Sequence, residues 1–463
     1  MATAADPQRF APRRRNRLAG LLPLLLGLGC QAYRPLDLAD DEPPHLAGSA
    51  NELVRRAAAL HNPLLRSTAI DPSDGYSPEE LAVVAVVCNP TLVAARGRAV
   101  TAVAQANAAT LLPNPVLAFT VDVPLGANTA GEVTGYGLNL EWEITSLLAH
   151  GAKRAAATQI AEQNRLDVAW QEWQIAEAAR QAAYDVLGLR VQLTAARTLA
   201  RRLDDIAAST RRALDRRDVT ATDASAATAA AGEAHITVAA AERDLADAEL
   251  ALRRALGVPP DESVPLSDRP LTTHADVPDA STLADGLGVH RIDLVALRSG
   301  YASQGATVRA AVLGQFPKIS LGLSHTRDTG DFHTLGPALT VDLPVFDRNQ
   351  GVIAVETATR RQLFDEYHAR LFEARSDVAC GVAAVRAIDK QARVVGQQVD
   401  TLQALVTSDE RALNTGELDV TTYYTAAVSL AQRQADLGKL RQELMRSLIA
   451  LELAAGVYLP VTP

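Results

Sequence analysis

The residues best suited to chemistry are dispersed. Nine histidines and three cysteines fall into no CxxC or HExxH spacing, and the chain has neither a P-loop nor a GxGxxG run. No nucleophile is set beside a base, so the chain reads as a non-enzyme with no cofactor. The carboxylates that stand out are Asp122, Glu141, Glu143 and Asp342, because each falls in a run with period two. Leu117, Phe119, Val121 and Val123 alternate with Ala118, Thr120 and Asp122; Tyr136, Leu138, Leu140, Trp142 and Ile144 alternate with Gly137, Asn139, Glu141 and Glu143. In the later runs Ile319, Leu321 and Leu323 oppose Lys318, Ser320 and Gly322, and Leu339, Val341, Leu343 and Val345 oppose Thr340 and Asp342. Period two gives strands with one apolar and one polar face. Carboxylates on such a polar face attract cations from water, which is the chemistry of a lining.

The elements that position them are written twice. LLPNPVLAFTVDV (111–123) corresponds to GQFPKISLGLS (314–324), GLNLEWEITSLLAHG (137–151) to ALTVDLPVFDRNQG (338–351), and RALDRRDVTATDASAA (212–227) to RALNTGELDVTTYYTAA (411–427). The order is kept and every offset is about 200 residues, the mark of a duplicated unit. The boundaries expected are a signal peptide over 1–29, an N-terminal extension over 30–74, a first repeat over 75–256 with its hairpin at about 114–145, a linker over 257–289, a second repeat over 290–457 with its hairpin at about 316–346, and a tail over 458–463.

Proline maps the rest. None occurs between 125 and 258 or between 345 and 459, so long helices are expected over 152–214 and 350–412, with returning helices over 222–256 and 420–456. Helices over 79–110 and 290–314 lead into the hairpins. Gly188 alone interrupts the first long arm. A net charge of −9 makes nucleic acid a poor partner. RRRNR (13–17) precedes a short apolar run too brief to span a bilayer, and Cys30 follows it at once, in the manner of a lipoprotein processing site at which Cys30 would be lipidated. Cys88 and Cys380 read as small buried residues.

Four strands cannot close a transmembrane barrel, so strands of this length in a membrane require several copies of the chain. LPVFDRNQG (343–351) is then the corner where a strand leaves lipid and becomes a helix: Pro344 ends the ladder, Phe346 sits at the interface, Asp347 or Asn349 caps the helix and Gly351 follows, while Gly151 marks the other copy.

The duplicated plan over about residues 75–457 resembles the TolC-like outer-membrane efflux factors. PNPVL, GAKR and DLPVFDRNQG are similar to the CzcC-like branch, which serves heavy-metal cation efflux. The resemblance implies a mainly α fold with a β-barrel part: a duplicated unit of long antiparallel coiled-coil helices plus one hairpin per repeat. Four strands per protomer would enter a trimeric twelve-stranded barrel continued by a periplasmic α-helical tunnel. It also implies partners: outer-membrane lipid, a periplasmic adaptor and an inner-membrane pump of the RND type. The helix-to-helix turns would form the periplasmic entrance and touch the adaptor. The matching positions are Arg212, Ala213, Leu214, Asp218, Val219 and Thr220, then Leu413, Gly416, Glu417, Leu418 and Asp419; Arg217 stands near the usual glycine of the first turn. The same channel serving drugs or secreted polypeptide, and a lipid-anchored periplasmic coiled-coil scaffold, are the alternatives.

Overall fold

The computed structural model describes residues 33–35, 50–60, 62, 64–65, 70–71, 74–126, 129–267, 274–415, 417–418 and 420–459. Cys30 and the expected signal peptide, with Gly416 and Asp419 of the second turn, lie outside the described residues. Residues 43–463 form one unit; in the shorter unit before it only 33–35 are described, exposed and without regular structure.

The unit begins with α1 (Ala50–Ala58) and α2 (Pro78–Cys88). Ser77 caps α2 and Glu80 reaches back to the Ser77 N–H at 2.7 Å, a reciprocal box that satisfies two donors at the helix start. The single helix expected over 79–110 is broken: α3 runs from Pro90 to Ala108, bent 53° from α2. Pro90 has no N–H with which to continue α2, and Asn89 turns extended and accepts from the Thr91 N–H at 2.9 Å. Among the described residues no single helix is long and apolar enough to cross a membrane; α2 and α3 together pass by length and composition. Nearly all of α2 is nevertheless buried in the chain's own core, where Leu81, Val84 and Val87 meet Ala183, Val186 and Leu256.

Strands β1 (Val116–Asp122) and β2 (Gly135–Glu143) form the first hairpin. Helix α4 (Ser146–Asp215) follows, and its 70 residues extend about 105 Å at 1.5 Å per residue. Its returning partner α5 (Ala221–Leu256) has 36 residues. Gly188 does not interrupt α4: it faces the Gln442 side chain, whose nearest atoms would stand 3.4 Å from an added Cβ. Short helices α6 (Ala280–Ala284) and α7 (Leu287–His290) lead to α8 (Ile292–Leu313), then β3 (Lys318–Arg327) and β4 (His333–Asp342). Helices α9 (Gln350–Thr415, 66 residues) and α10 (Val420–Ala455, 36 residues) close the second copy.

The fold class is as expected: long helices in two copies and one small sheet. The two copies also end alike. Gly257 (φ 73°) stops α5 and Gly456 (φ 70°) follows α10, each in the left-handed region that suits glycine. Each lies against the start of a helix in its own copy, Gly257 on Asn89 and Pro90, Gly456 on Arg291. The copies are stitched together along α4 and α10, where Asp185 accepts from Gln442 at 2.9 Å and from Arg446 at 2.7 Å. Cys88 is buried as expected, but Cys380 is exposed, because it lies on a face of α9 that no other described element covers.

Candidate channel-forming sheet, corners and tips

The two hairpins make one antiparallel sheet in the order β1-β2-β3-β4, joined across the copies where Leu140 pairs with Leu323. Its outer edges, β1 and β4, have no strand partner among the described residues. Register partners share a face, so the pairing sorts the side chains. One face carries Leu117, Leu140 and Leu323 in a row, with Leu321 beside Leu339 and Ile319 beside Val341; toward the loops it turns polar, with His325 between Leu138 and Leu335 in the row of Phe119, and Arg327 between Tyr136 and His333. Most of these large apolar side chains are exposed: Phe119 at 63%, Leu323 at 52%, Leu339 at 65%. A single chain in water would not leave so broad a face uncovered.

Apart from Val116, opposite Glu141, the other face is polar or small: Thr120, Gly137, Thr326 and Thr334 in one row, Ala118, Asn139, Ser324 and Gly336 in the next. Asp122, Glu141, Glu143 and Asp342 all lie on it. Asp122 stands at the loop end, opposite Gly135; Glu141 and Glu143, opposite Gly322 and Ser320, and Asp342, opposite Lys318, stand at the helix end. Lys318 therefore tempers the charge beside Asp342, a pairing that only the register reveals.

At the corners the residues do not act as a group. Pro344 follows the last ladder pair, Phe346 is 94% exposed, and Asp347 accepts from the Asn349 N–H at 2.8 Å. Asn349 takes a positive φ of 64°, and its side chain donates to the Ala311 carbonyl at 2.7 Å, tying the start of α9 to the end of α8. Gly351 is already helical, and Gly151 lies inside α4, well past the first corner. That corner is held instead by Thr145, whose hydroxyl accepts from the Ile319 N–H while Ile144 donates to the Ile319 carbonyl at 3.0 Å. Thr145 was not singled out by sequence; a lone threonine beside a helix start carries no distinguishing signal.

The first tip is a tight helix end. Asp218 N–H donates to Ala213 O at 2.9 Å and Arg217 N–H to Leu214 O at 2.8 Å, the six-to-one and five-to-two bonds of a Schellman turn. Arg217 takes the left-handed position at φ 65°. Arg212 is exposed in the last turn of α4, and Asp218 pairs with Arg216 at 3.0 Å. Val219 is half-buried, and Thr220 caps α5 in a box with Asp223, whose carboxyl is held below the usual range by the Thr220 hydroxyl and N–H. At the second tip the Glu417 N–H donates to Ala412 O at 2.9 Å, the same six-to-one bond. Leu413 and Leu418 pack inward against Val406 and Tyr423, leaving Glu417 as the exposed member. Among the described residues no three histidines, cysteines or carboxylates converge to hold a metal.

The described residues thus form a sheet with open edges and two unlike faces, standing on helices about 100 Å long. Residues 287–457 match the model of the outer membrane efflux protein family. The chain has the fold of CusC (17% identity, 92% of this chain and 100% of that one, TM-score 0.68), of the Campylobacter jejuni CmeC outer membrane channel (14%, 92% and 94%, 0.69) and of the Neisseria gonorrhoeae MtrE outer membrane channel (16%, 92% and 98%, 0.66). No curated protein matches the chain in sequence. The second half of the chain is thus similar to the outer membrane efflux protein family, and the chain as a whole shares the fold of these outer-membrane channels.

Proposed function

We propose that three copies of this chain join β4 of one to β1 of the next, closing a twelve-stranded barrel, and that the assembly passively conducts heavy-metal cations to the exterior. A periplasmic adaptor and an inner-membrane pump of the RND type deliver the cargo and supply the energy. The observation that carries this reading is the pair of unpartnered sheet edges on an otherwise sorted sheet. In hydrocarbon each unpaired backbone group costs several kcal/mol, so a four-stranded sheet is tenable there only when its edges are closed by further copies. Strands β2, β3 and β4, of 9 to 10 residues, suit a bilayer crossed at a tilt, while β1 is shorter at 7. The four carboxylates on the polar face and the DLPVFDRNQG corner support cations as the cargo. On this reading Cys30 carries the lipid anchor, the division into repeats at 75–256 and 290–457 is the division into structural copies, and the tips from Arg212 to Thr220 and from Leu413 to Asp419 meet the adaptor.

The test has two parts. Native mass of the protein extracted in detergent from outer membranes should give a trimer; a monomer released by salt would end the channel reading. A strain lacking the protein should lose tolerance to divalent heavy metals and regain it with the wild-type chain. Trimers with no effect on metal tolerance would sink the cation reading and leave the channel.

A further inference from the structure

A cluster of ionisable groups lies far from the sheet and the tips, where α4 of the first copy meets the end of α10. Glu177, Arg180 and Glu452 have side chains 3% exposed or less. A single guanidinium nitrogen, Arg180 Nη1, donates to Glu177 Oε2 at 2.6 Å and to Glu452 Oε2 at 2.7 Å. Glu452 is further fixed by the Leu459 N–H, which reaches its Oε1 at 2.8 Å. Between them the Tyr458 ring stands edge-on to Trp173 at 4.6 Å and under the Arg180 guanidinium at 5.1 Å, with its hydroxyl bonded to Glu177. Glu177 Oε1 and Arg180 Nε have no hydrogen-bond partner. The segment after α10, from Gly456 to Leu459, is thus folded back onto α4 through these groups.

The charges do not balance. Two carboxylates share one guanidinium, so with all three ionised a net negative charge is buried with a carboxylate oxygen unpaired, an arrangement that low-dielectric surroundings penalise. One proton on Glu177 removes that charge. Glu452 is the less suited to take it, because both its oxygens already accept from donors. We propose that Glu177, Arg180 and Glu452 form a proton-operated latch that clasps the Gly456–Leu459 segment to α4 in acid and loosens it in alkali, so that the junction of the two copies responds to the acidity of its surroundings.

The electrostatics run the same way. Burial, aided by Glu452 and opposed by Arg180, pushes the Glu177 carboxyl up to about 7. The groups facing it are Arg180 on its own helix, Glu452 on α10 and Tyr458 in the segment; behind Arg180, Tyr184 donates to Glu79 of α2 at 2.9 Å, and burial raises its hydroxyl out of the titrating range. The sign follows from linkage. The latched form holds a proton that a hydrated Glu177 would release in the ordinary glutamate range, so latching is favoured as pH falls: the advantage is complete below that range and is lost as pH rises through about 7, where Glu177 ionises in place.

Hydrogen exchange on the full-length protein in detergent, at pH 5.5 and 8.5 and corrected for intrinsic rates, reads the latch at residues 456–459. The wild type should be about 30-fold more protected at the lower pH by linkage, and Glu177→Gln should hold the same protection at both. Equal wild-type protection at the two pH values, or an unchanged pH dependence in Glu177→Gln, would overturn the proposal. Should that variant not fold, infrared spectroscopy on the wild type decides: a buried carboxyl band that disappears as pH passes 7 is expected, and no such titration between pH 6 and 8 refutes the latch.

Discussion

Replacing Gly257 and Gly456 by alanine tests whether the duplicated ends of the fold are equally tight. Both residues sit at positive φ, 73° and 70°, where an alanine costs about 1–2 kcal/mol, less about 0.5–1 kcal/mol from the lost freedom of glycine in the unfolded chain. Their surroundings differ. A Cβ at Gly257 would come within 2.7 Å of Pro90 Cδ and 2.8 Å of Asn89 Cα, whereas at Gly456 the nearest atom is Arg291 Cα at 3.2 Å. The first is a clash with backbone and ring that cannot turn aside, adding about 1–3 kcal/mol of overpacking; the second is relieved by a small shift. Gly257→Ala should therefore cost about 2–4 kcal/mol and Gly456→Ala about 1 kcal/mol. For a chain this long the unfolding entropy makes each kcal/mol worth roughly 1 °C in Tm, and Trp170 and Trp173, both buried beside the junction, report the transition by fluorescence. Gly232→Ala is the control: it lies exposed within α5 with open space at its Cβ, and alanine there should stabilise by about 0.5–1 kcal/mol. If Gly257→Ala melts with the wild type, or later than Gly456→Ala, the close approach between the ends of the copy is not what fixes this glycine.

Three further outcomes are expected. Leu323→Arg, in the middle of the apolar face, should cost about 2–4 kcal/mol if that face meets lipid, seen as loss of trimer from outer-membrane extracts; unchanged assembly would mean the face is wet. Arg217→Gly should relieve a left-handed arginine by about 1 kcal/mol, slowing hydrogen exchange at the Asp218 amide; faster exchange would show that the side chain itself holds the turn. Maleimide at pH 8 should label exposed Cys380 and spare Cys88, whose thiol burial pushes up to about 11; peptide mapping reads the two sites, and equal labelling would place Cys88 within reach of solvent.

Much of this was legible in the chain because its signals are periodic and local. The alternation around Leu138 and Leu321 gave both hairpins and their faces, and the proline-free stretches gave the long helices, since both depend on near neighbours. A single helix is expected over 79–110, and only the extended Asn89 shows that Pro90 starts a second one. Pairings between distant residues were hidden. Glu177 and Arg180 read in sequence as an ordinary solvated pair at i, i+3, and nothing local says that Glu452, 275 residues onward by their numbers, lies on the same guanidinium. Lys318 opposite Asp342 and Thr145 against Ile319 are likewise facts of register. The corner glycines failed for a related reason: Gly151 and Gly351 mark the neighbourhood of a turn, but the helix begins wherever its first amides find partners.

The unequal helix lengths, 70 and 66 residues against 36 and 36, have a consequence for sieving. Each chain presents four helices at either level, α3, α4, α8 and α9 near the sheet, and α4, α5, α9 and α10 beyond it. In the proposed trimer, twelve axes spaced about 9 Å apart would make a ring some 35 Å across, and subtracting one helix diameter would leave a bore of about 25 Å. Its centre line is then about 12 Å from the wall, farther than the Debye length of about 8 Å in physiological salt. A hydrated ion travelling down the middle scarcely feels the wall's charges and passes any portion of it without being stripped. On that reading any discrimination the conduit exerts would fall to the sheet and to the tips, while its long middle would act as plain water.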